Sequence, residues 1–308
     1  VVYACTSGEG NAGDLTINAT DVQVIGTSKD GGSSALFNFT SSTGDAGDLT
    51  IKTNTLLLTD GAEVVTSTFG KGKGGNLSVE AQDIKLTESR DGSFGGSILS
   101  TSAQRNSTGS AGDLTIKTNT LLVRDGPIVT ASTFGEGNGG NLTVDAQDVQ
   151  VIGESKDGLF SSALGIASQT SSTGDTGNLN IKTNTLLVQD GGIVSASTFG
   201  TGKGGRLTID AKDVQVIGTS RDGFPSGLFA SAEPNSTGDG GNLNINTSAL
   251  QLENGAKVSV QSFTEEGTAG NLTINADSIR LNKNALLTAD TLSNKVDPET
   301  EQATININ

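Results

Sequence analysis

The amino-acid sequence predicts an all-β solenoid of about nine stacked turns, each built from three short strands. Three observations predict this fold class: a recurring Gly-Asp-Leu or Gly-Asn-Leu signature, alternating apolar and polar residues after it, and a turn dipeptide later in the repeat. One such unit cannot bury its apolar face alone, so neighbouring units must stack. We therefore expect residues 1–308 to form a single β-solenoid repeat domain.

The leucine of the signature marks the start of each unit. These leucines are Leu15, Leu49, Leu77, Leu114, Leu142, Leu179, Leu207, Leu243 and Leu272. Short and long units alternate, so the true period is a pair of units. Leu49, Leu114 and Leu179 are each 65 residues apart. The sequence therefore predicts a super-repeat of 65 residues containing one short and one long turn.

Each unit contains three candidate strands in a fixed order. The short unit 49–76 contains LTIKT, LLLTD and VVTST, and the long unit 142–178 contains LTVDA, VQVIG and SSALGIA. The turn dipeptide between the second and third strands could instead close antiparallel hairpins. Because all three segments recur together, we favour parallel stacking, with each strand pairing with its own copy ~4.8 Å away. The dipeptides are Asp30-Gly31, Asp60-Gly61, Asp91-Gly92, Asp125-Gly126, Asp157-Gly158, Asp190-Gly191, Asp222-Gly223 and Asn254-Gly255.

A glycine-rich loop precedes each signature leucine. Its segment GEGNGG, with Gly135, Gly137 and Gly140, satisfies the G-x-G-x-x-G pattern of dinucleotide-binding loops. That chemistry requires a helix after the glycines, whereas Leu142 and Val144 begin a strand pattern. The same spelling recurs at Gly8/Gly10/Gly13, Gly70/Gly72/Gly75 and Gly200/Gly202/Gly205. We interpret all four as turns in which glycine supplies positive φ or close backbone approach.

The residue before each signature leucine should form a column along the solenoid axis. Asn side chains can hydrogen-bond along such a ladder, whereas adjacent carboxylates repel unless they are protonated, hydrated or bridged by a cation. Arg206 occupies this position in one turn. We expect a structural ladder, with no catalytic, cofactor-binding or metal-binding residue, formed by Asp14, Asp48, Asn76, Asp113, Asn141, Asn178, Asn242 and Asn271.

Charge and composition argue against several classes of binding partner. The net charge of −15 opposes binding to nucleic acid or to an anionic membrane surface. No run approaches the ~18 apolar residues of a membrane helix, so we expect no membrane insertion. Cys5 is the single cysteine, which we expect to be a small packed side chain. The chain contains no methionine, which suggests an internal fragment of a longer chain.

The segments GNAGDLTINATDVQVIGTS, GDLTIKTNTLLLTDGAEV and STFGKGKGGNLSVEAQD resemble the repeat region of cyanobacterial filamentous-haemagglutinin-like proteins, the large exoproteins of two-partner secretion. The resemblance covers essentially the whole chain. It implies a right-handed parallel β-helix in a secreted or surface-attached filament or adhesin stalk. It also implies an extracellular or cell-surface location. Partners would be other copies or further repeats of the same protein, and cell-surface or extracellular polysaccharide.

Two alternatives compete with this structural and adhesive role. An extracellular carbohydrate-active β-helix, either a polysaccharide lyase or a tailspike-like hydrolase, would need carboxylates converging on one groove. The sequence shows no such cluster, so we expect no enzyme. Calcium is a possible ligand, because GNAGDLTI faintly matches a calcium-binding nonapeptide repeat, although the nine-residue tandem is missing. Phe69, Phe134, Phe199 and Phe263 recur every second turn and should cap one corner of the solenoid.

Overall fold

The computed structural model describes residues 1–26, 32–88, 96–264, 267–291 and 303–308. These residues form strands, turns and loops and contain no helix. The chain winds as a right-handed parallel β-helix in which every pair of strands is parallel. The predicted fold class is therefore confirmed.

The strands follow one another around the solenoid in a regular order. In chain order they are β1 (Val2–Thr6), β2 (Leu15–Asn18), β3 (Asp21–Ile25), β4 (Ala35–Thr40), β5 (Leu49–Lys52), β6 (Thr55–Thr59), β7 (Glu63–Thr68), β8 (Leu77–Glu80), β9 (Asp83–Thr87), β10 (Ile98–Ala103), β11 (Leu114–Lys117), β12 (Thr120–Arg124), β13 (Ile128–Thr133), β14 (Leu142–Asp145), β15 (Asp148–Ile152), β16 (Ala163–Ser168), β17 (Leu179–Gln189), β18 (Ile193–Thr198), β19 (Leu207–Ile217), β20 (Gly227–Phe229), β21 (Leu243–Glu253), β22 (Lys257–Ser262), β23 (Leu272–Asn282), β24 (Leu286–Thr291) and β25 (Ile305–Ile307).

Two long sheets form the walls of the solenoid. The first and second strands of all turns make one 15-stranded sheet, and the third strands make a 10-stranded sheet that runs from β1 to β24. The signature leucines are in direct register, as in Leu114 against Leu142 and Leu142 against Leu179. The leucines that mark the predicted repeat boundaries therefore pair with one another between adjacent turns.

The core is a continuous column of inward-facing aliphatic side chains. In β14, Leu142 and Val144 are fully buried, while the alternate residues Thr143 and Asp145 are exposed. The same alternation continues in β15, where Val149 and Val151 enter the core. Each fully buried side chain of this size contributes ~1.5–3 kcal/mol. Because neighbouring turns share the core, stability is distributed along the axis.

The later turns differ from the predicted three separate strands. In β17, β19, β21 and β23 the first and second strands are fused into one strand of 11 residues. Pairing between β17 and β19 skips Asn184, between Thr183 and Thr185, and then resumes. A bend of one unpaired residue turns the corner there, so the chain keeps its path although the strand is continuous.

The Asp-Gly dipeptides do not close antiparallel strand pairs in the short turns. Asp60, Asp125, Asp190 and Asn254 have positive φ, and so does the glycine after each, while the flanking strands remain parallel. The long turns carry larger loops at this corner, and those at 153–162 and 218–226 each contain a single antiparallel bridge. Asp157-Gly158 and Asp222-Gly223 lie in these loops. Asp30-Gly31 and Asp91-Gly92 lie outside the described residues.

The structure also bears on the prediction made for Cys5. Cys5 is exposed on β1 and is not packed, so that prediction was wrong: it lies on the first strand of the 10-stranded sheet, for which β4 is the one pairing partner among the described strands. In the described part of the chain, no helix is long and apolar enough to cross a membrane.

Candidate functional surface: the glycine-Asx corner

The corner between the third strand and the next first strand repeats the motif Gly-Asx-x-Gly-Asx, where Asx is Asp or Asn. Its glycines allow adjacent turns to touch backbone to backbone. A Cβ placed on Gly140 would lie 1.8 Å from the carbonyl oxygen of Gly112, and one on Gly137 would lie 2.1 Å from that of Gly109. These glycines do not have positive φ. Close approach, and not left-handed geometry, therefore explains the three segments that begin at Gly70, Gly135 and Gly200, whereas nothing lies within 4 Å of the Cβ positions of Gly8, Gly10 and Gly13. Each of the four segments leads into a strand.

The predicted ladder residues stack in a single column at this corner. The Oδ1 atom accepts the backbone N–H of the residue one turn later, as from Asn76 to Asp48 at 2.8 Å and from Asn141 to Asp113 at 2.8 Å. At the last ladder residue, Asn271, it accepts the Thr304 hydroxyl instead. The same bond joins Asp48 to Asp14, Asp113 to Asn76, Asn178 to Asn141 and Asn271 to Asn242. Both Asp and Asn carry this oxygen, which explains why both occupy the column.

A second column, which the sequence analysis missed, lies three residues before the first. Its Asx side chains bond in the same way, as from Asp175 N–H to Asn138 Oδ1 at 3.0 Å and from Lys203 N–H to Asp175 Oδ1 at 2.8 Å. The signal in the sequence was the residue after the first glycine of each motif. The full column is Asn11, Asp45, Lys73, Ser110, Asn138, Asp175, Lys203, Asp239 and Thr268.

Buried hydroxyl groups complete the corner from inside. The Thr68 Oγ1 donates to the Gly72 carbonyl at 2.6 Å, and Thr198 Oγ1 donates to that of Gly202 at 2.6 Å. Thr133, Ser168 and Ser262 end their strands with an equivalent bond. A buried hydroxyl left without a partner is costly, so this bond ties the end of each third strand to the glycine loop.

Both columns are interrupted in the same turn by cations. Lys203 occupies the second column and Arg206 the first, and neither side chain has an acceptor oxygen. A groove of about 320 Å³ lies here, lined by residues of three successive turns that include Asp175, Asn178, Asp239 and Asn242. Lys203 Nζ lies 3.7 Å from Asp239 Oδ2. This is the turn in which both columns lack an acceptor oxygen at once.

The phenylalanines predicted at one corner follow the third strands directly. Phe69, Phe199 and Phe263 are each between 38% and 45% exposed, and Phe134 is half-buried. Phe69 packs edge-on against Phe39, with ring centroids 5.9 Å apart. The four rings therefore lie where the third strands end, and part of each remains in solvent.

The loops of the two last fully described long turns are clamped together. Arg221 Nε donates to Glu154 Oε1 at 2.6 Å, and its other nitrogens donate to the carbonyls of Ser155 and Lys156. Burial raises the pKa of Glu154, but the side-chain and backbone hydrogen bonds from Arg221 outweigh it and hold the pKa below its ordinary value. The clamp spans the intervening short turn.

One carboxyl group has the perturbation expected of an acid catalyst. Burial raises the pKa of Glu233, although Lys257 opposes the shift, and burial lowers the pKa of Lys257. The Lys257 ammonium donates to Gln261 Oε1 at 2.5 Å, and the carboxylate of Asp290 also acts on it. Acid–base hydrolysis of sugars needs two carboxyl groups in complementary states. Glu233 supplies at most one of these two groups.

Carboxylates outside this corner accept hydrogen bonds from the next turn along the solenoid axis. Asp148, which precedes a second strand, accepts a hydrogen bond from Thr185 one turn later, and Asp21 accepts one from Thr55. The described residues contain no group of three or more His, Cys, Asp or Glu side chains placed to hold a metal ion.

Three comparisons were made with known proteins. The chain matches no protein-family model, no curated protein and no solved structure.

Proposed function

We propose that this chain is a structural and adhesive β-helix, part of a secreted or surface-attached extracellular filament or adhesin stalk. The observation that carries the proposal is the uniform corner: the same backbone contact recurs from Gly44 on Gly10 through Gly267 on Gly238. Such a molecule is a rod whose length and surface pattern are set by repeat number. We expect it to bind through repetition, to polysaccharide or to further copies of itself, and to have no catalytic site.

Surface immobilisation tests this proposal. Beads carrying the chain, and beads carrying a variant that lacks residues 77–141, are presented to extracellular polysaccharide and to beads of the same protein. If contacts repeat along the rod, the shorter variant should retain binding at reduced strength, because avidity falls with the number of contacts. Complete loss of binding in a folded variant, or no binding by either protein, would contradict the proposal.

The second candidate is a carbohydrate-active β-helix, and Glu233 is the observation that favours it. Burial raises the pKa of the Glu233 carboxyl group, and a carboxyl group with a raised pKa can serve as a general acid. Release of reducing ends or unsaturated products from acidic and neutral polysaccharides tests this candidate directly. Product formation that disappears in Glu233→Gln would support it over the structural role.

A further inference from the structure

The double interruption of the corner at Lys203 and Arg206 leaves two backbone amides without their usual acceptors. The N–H groups of Asp48, Asn76, Asp113, Asn141, Asn178, Arg206 and Asn271 each donate to the Asx oxygen of the preceding turn. Asn242 follows Arg206 in this column, and its amide donates to no described residue. Asp239 follows Lys203 in the second column, and the same holds for its amide.

The two residues that carry these amides line the groove described above, together with two cationic residues. The groove is lined by Lys203, Arg206, Asp239 and Asn242. In every intact turn a carboxylate or amide oxygen occupies the place that these N–H groups face. Here the side chain at that place is a long cation. We infer that this groove is an oxyanion site, in which oxygens of a sulfate or carboxylate group replace the missing Oδ1 atoms and Lys203 and Arg206 neutralise the charge.

The acidic residues of the groove do not occupy the site, because they are bonded along the axis. Asp175 Oδ1 accepts the Lys203 N–H, and Asp239 Oδ1 accepts both the N–H and the hydroxyl of Thr268. Lys203 shares its charge with Asp239 at 3.7 Å, with 70% of its side chain exposed. Arg206 forms no ion pair with a described residue, so its guanidinium is available for an oxyanion. Guanidinium groups bind planar or tetrahedral oxyanions through paired hydrogen bonds.

The turn of Lys73 is a natural comparison within the same chain. Lys73 interrupts the second column, and the following Ser110 amide donates to no described residue. The first column is intact there, because Asn76 Oδ1 accepts the Asp113 N–H at 2.9 Å. This turn therefore offers one open amide and one cation, whereas the turn of Lys203 and Arg206 offers two of each.

Backbone amide NMR during titration with sodium sulfate at constant ionic strength tests the site. We expect saturable shifts of the Asp239 and Asn242 amides, with the Ser110 amide moving much less. The variant Arg206→Asn restores an acceptor oxygen for Asn242 and should weaken sulfate binding at least ~10-fold, as expected for loss of one charge-assisted contact. It should also melt at a higher temperature than wild type without sulfate. The variant Lys73→Asn should leave sulfate binding at Asp239 and Asn242 unchanged.

The same titration with a sulfated oligosaccharide and with a uronic-acid oligosaccharide distinguishes the sources of the oxyanion. Tighter binding of either sugar than of inorganic sulfate assigns the site to an acidic polysaccharide, and equal binding assigns it to a free oxyanion. Linear shifts for all three probes, or equal shifts in wild type and Arg206→Asn, would overturn the inference. The outcome does not depend on the adhesive role, since the site could serve any rod of this kind.

Discussion

The Oδ1 atom of Asn141 accepts the backbone N–H of Asn178 at 2.9 Å, one full turn further along the solenoid. Asn141 is bonded to the preceding turn as well, because its own N–H and its Nδ2 both donate to Asp113 Oδ1. A single side chain thus links three turns. The column is a chain of side-chain-to-backbone bonds, in which only the oxygen is indispensable.

Replacing this oxygen gives the first prediction. Asn141→Ala should lower the free energy of unfolding by ~1 kcal/mol, because the Asn178 amide loses its acceptor. Asn141→Asp keeps the oxygen but brings a second carboxylate beside Asp113, so it should be destabilised at low salt and recover toward wild type near 1 M salt, where charges are screened within ~3 Å. Urea unfolding at both salt concentrations measures this. A salt-independent deficit in Asn141→Asp would show that the amide group matters as well.

The second prediction concerns the glycine columns. Gly140→Ala should destabilise the protein by at least the ~1–3 kcal/mol typical of overpacking, because the new Cβ would lie 1.8 Å from the Gly112 carbonyl oxygen. Gly13→Ala is the matched control, since nothing lies within 4 Å of its Cβ position and its φ is not in the left-handed region. Equal melting temperatures for the two variants would contradict close approach as the reason for glycine.

The third prediction tests the core. Leu142 is fully buried between Leu114 and Leu179, so Leu142→Asp should cost several kcal/mol, on the order of the penalty for an unpaired buried charge. The neighbouring Thr143 is exposed on the same strand, and Thr143→Asp should change stability by only about 0.5 kcal/mol. Denaturant unfolding followed by circular dichroism compares the two. A tolerated Leu142→Asp would be incompatible with a shared core.

The fourth prediction tests the modularity of the turns. Deleting residues 77–141 removes β8 to β13 and joins Asn76 to Leu142, which recreates the GGNL junction. The product should fold cooperatively into a rod that is ~10 Å shorter, measurable by small-angle X-ray scattering. Deleting residues 77–145 also removes β14 and should disrupt folding at that point. If both deletions behave alike, the turns are not independent stacking units.

The fifth prediction follows from the raised pKa of Glu233. A raised carboxyl pKa means that folding favours the protonated form, so this contribution is present below the ordinary pKa of 4.5 and is lost as pH rises through the folded-state pKa. Glu233→Gln should therefore gain in melting temperature relative to wild type between pH 4 and pH 7. The gain should be larger in a Lys257→Met background, because Lys257 stabilises the carboxylate. A difference that does not change with pH would contradict the shift.

The sequence predicted the fold and the register because both depend on periodicity. Leu15 to Leu272 recur after the same signature, and because the same three segments follow each leucine, like strands pair although short and long turns alternate. It predicted the first Asx column for the same reason. The second column was not predicted because its common residue type, Asp or Asn, is replaced at four positions. These positions are Lys73, Ser110, Lys203 and Thr268. The role of the oxygen could not be deduced either, since Asn favours side-chain pairing and backbone bonding equally well.

Other features depend on distances that no single-sequence pattern contains. Positive φ and close approach both select glycine, and only the position of the Gly112 carbonyl distinguishes them at Gly140. The clamp between Arg221 and Glu154 joins residues two turns apart through loops of irregular sequence. The fusion of first and second strands in β17 depends on backbone geometry around Asn184, a position with similar residues in turns that remain divided.

The alternation of short and long turns has a mechanical consequence. Strands run across the rod, so tension applied to the two ends of the chain loads the hydrogen bonds between turns one row at a time, and the outermost turn peels away before the next is strained. The chain released by each event is set by the turn, 28 residues for a short turn and 37 for a long one at the centre of the molecule. A stretched rod would therefore lengthen in steps of alternating size, dissipating work at every step while the remaining turns keep their structure.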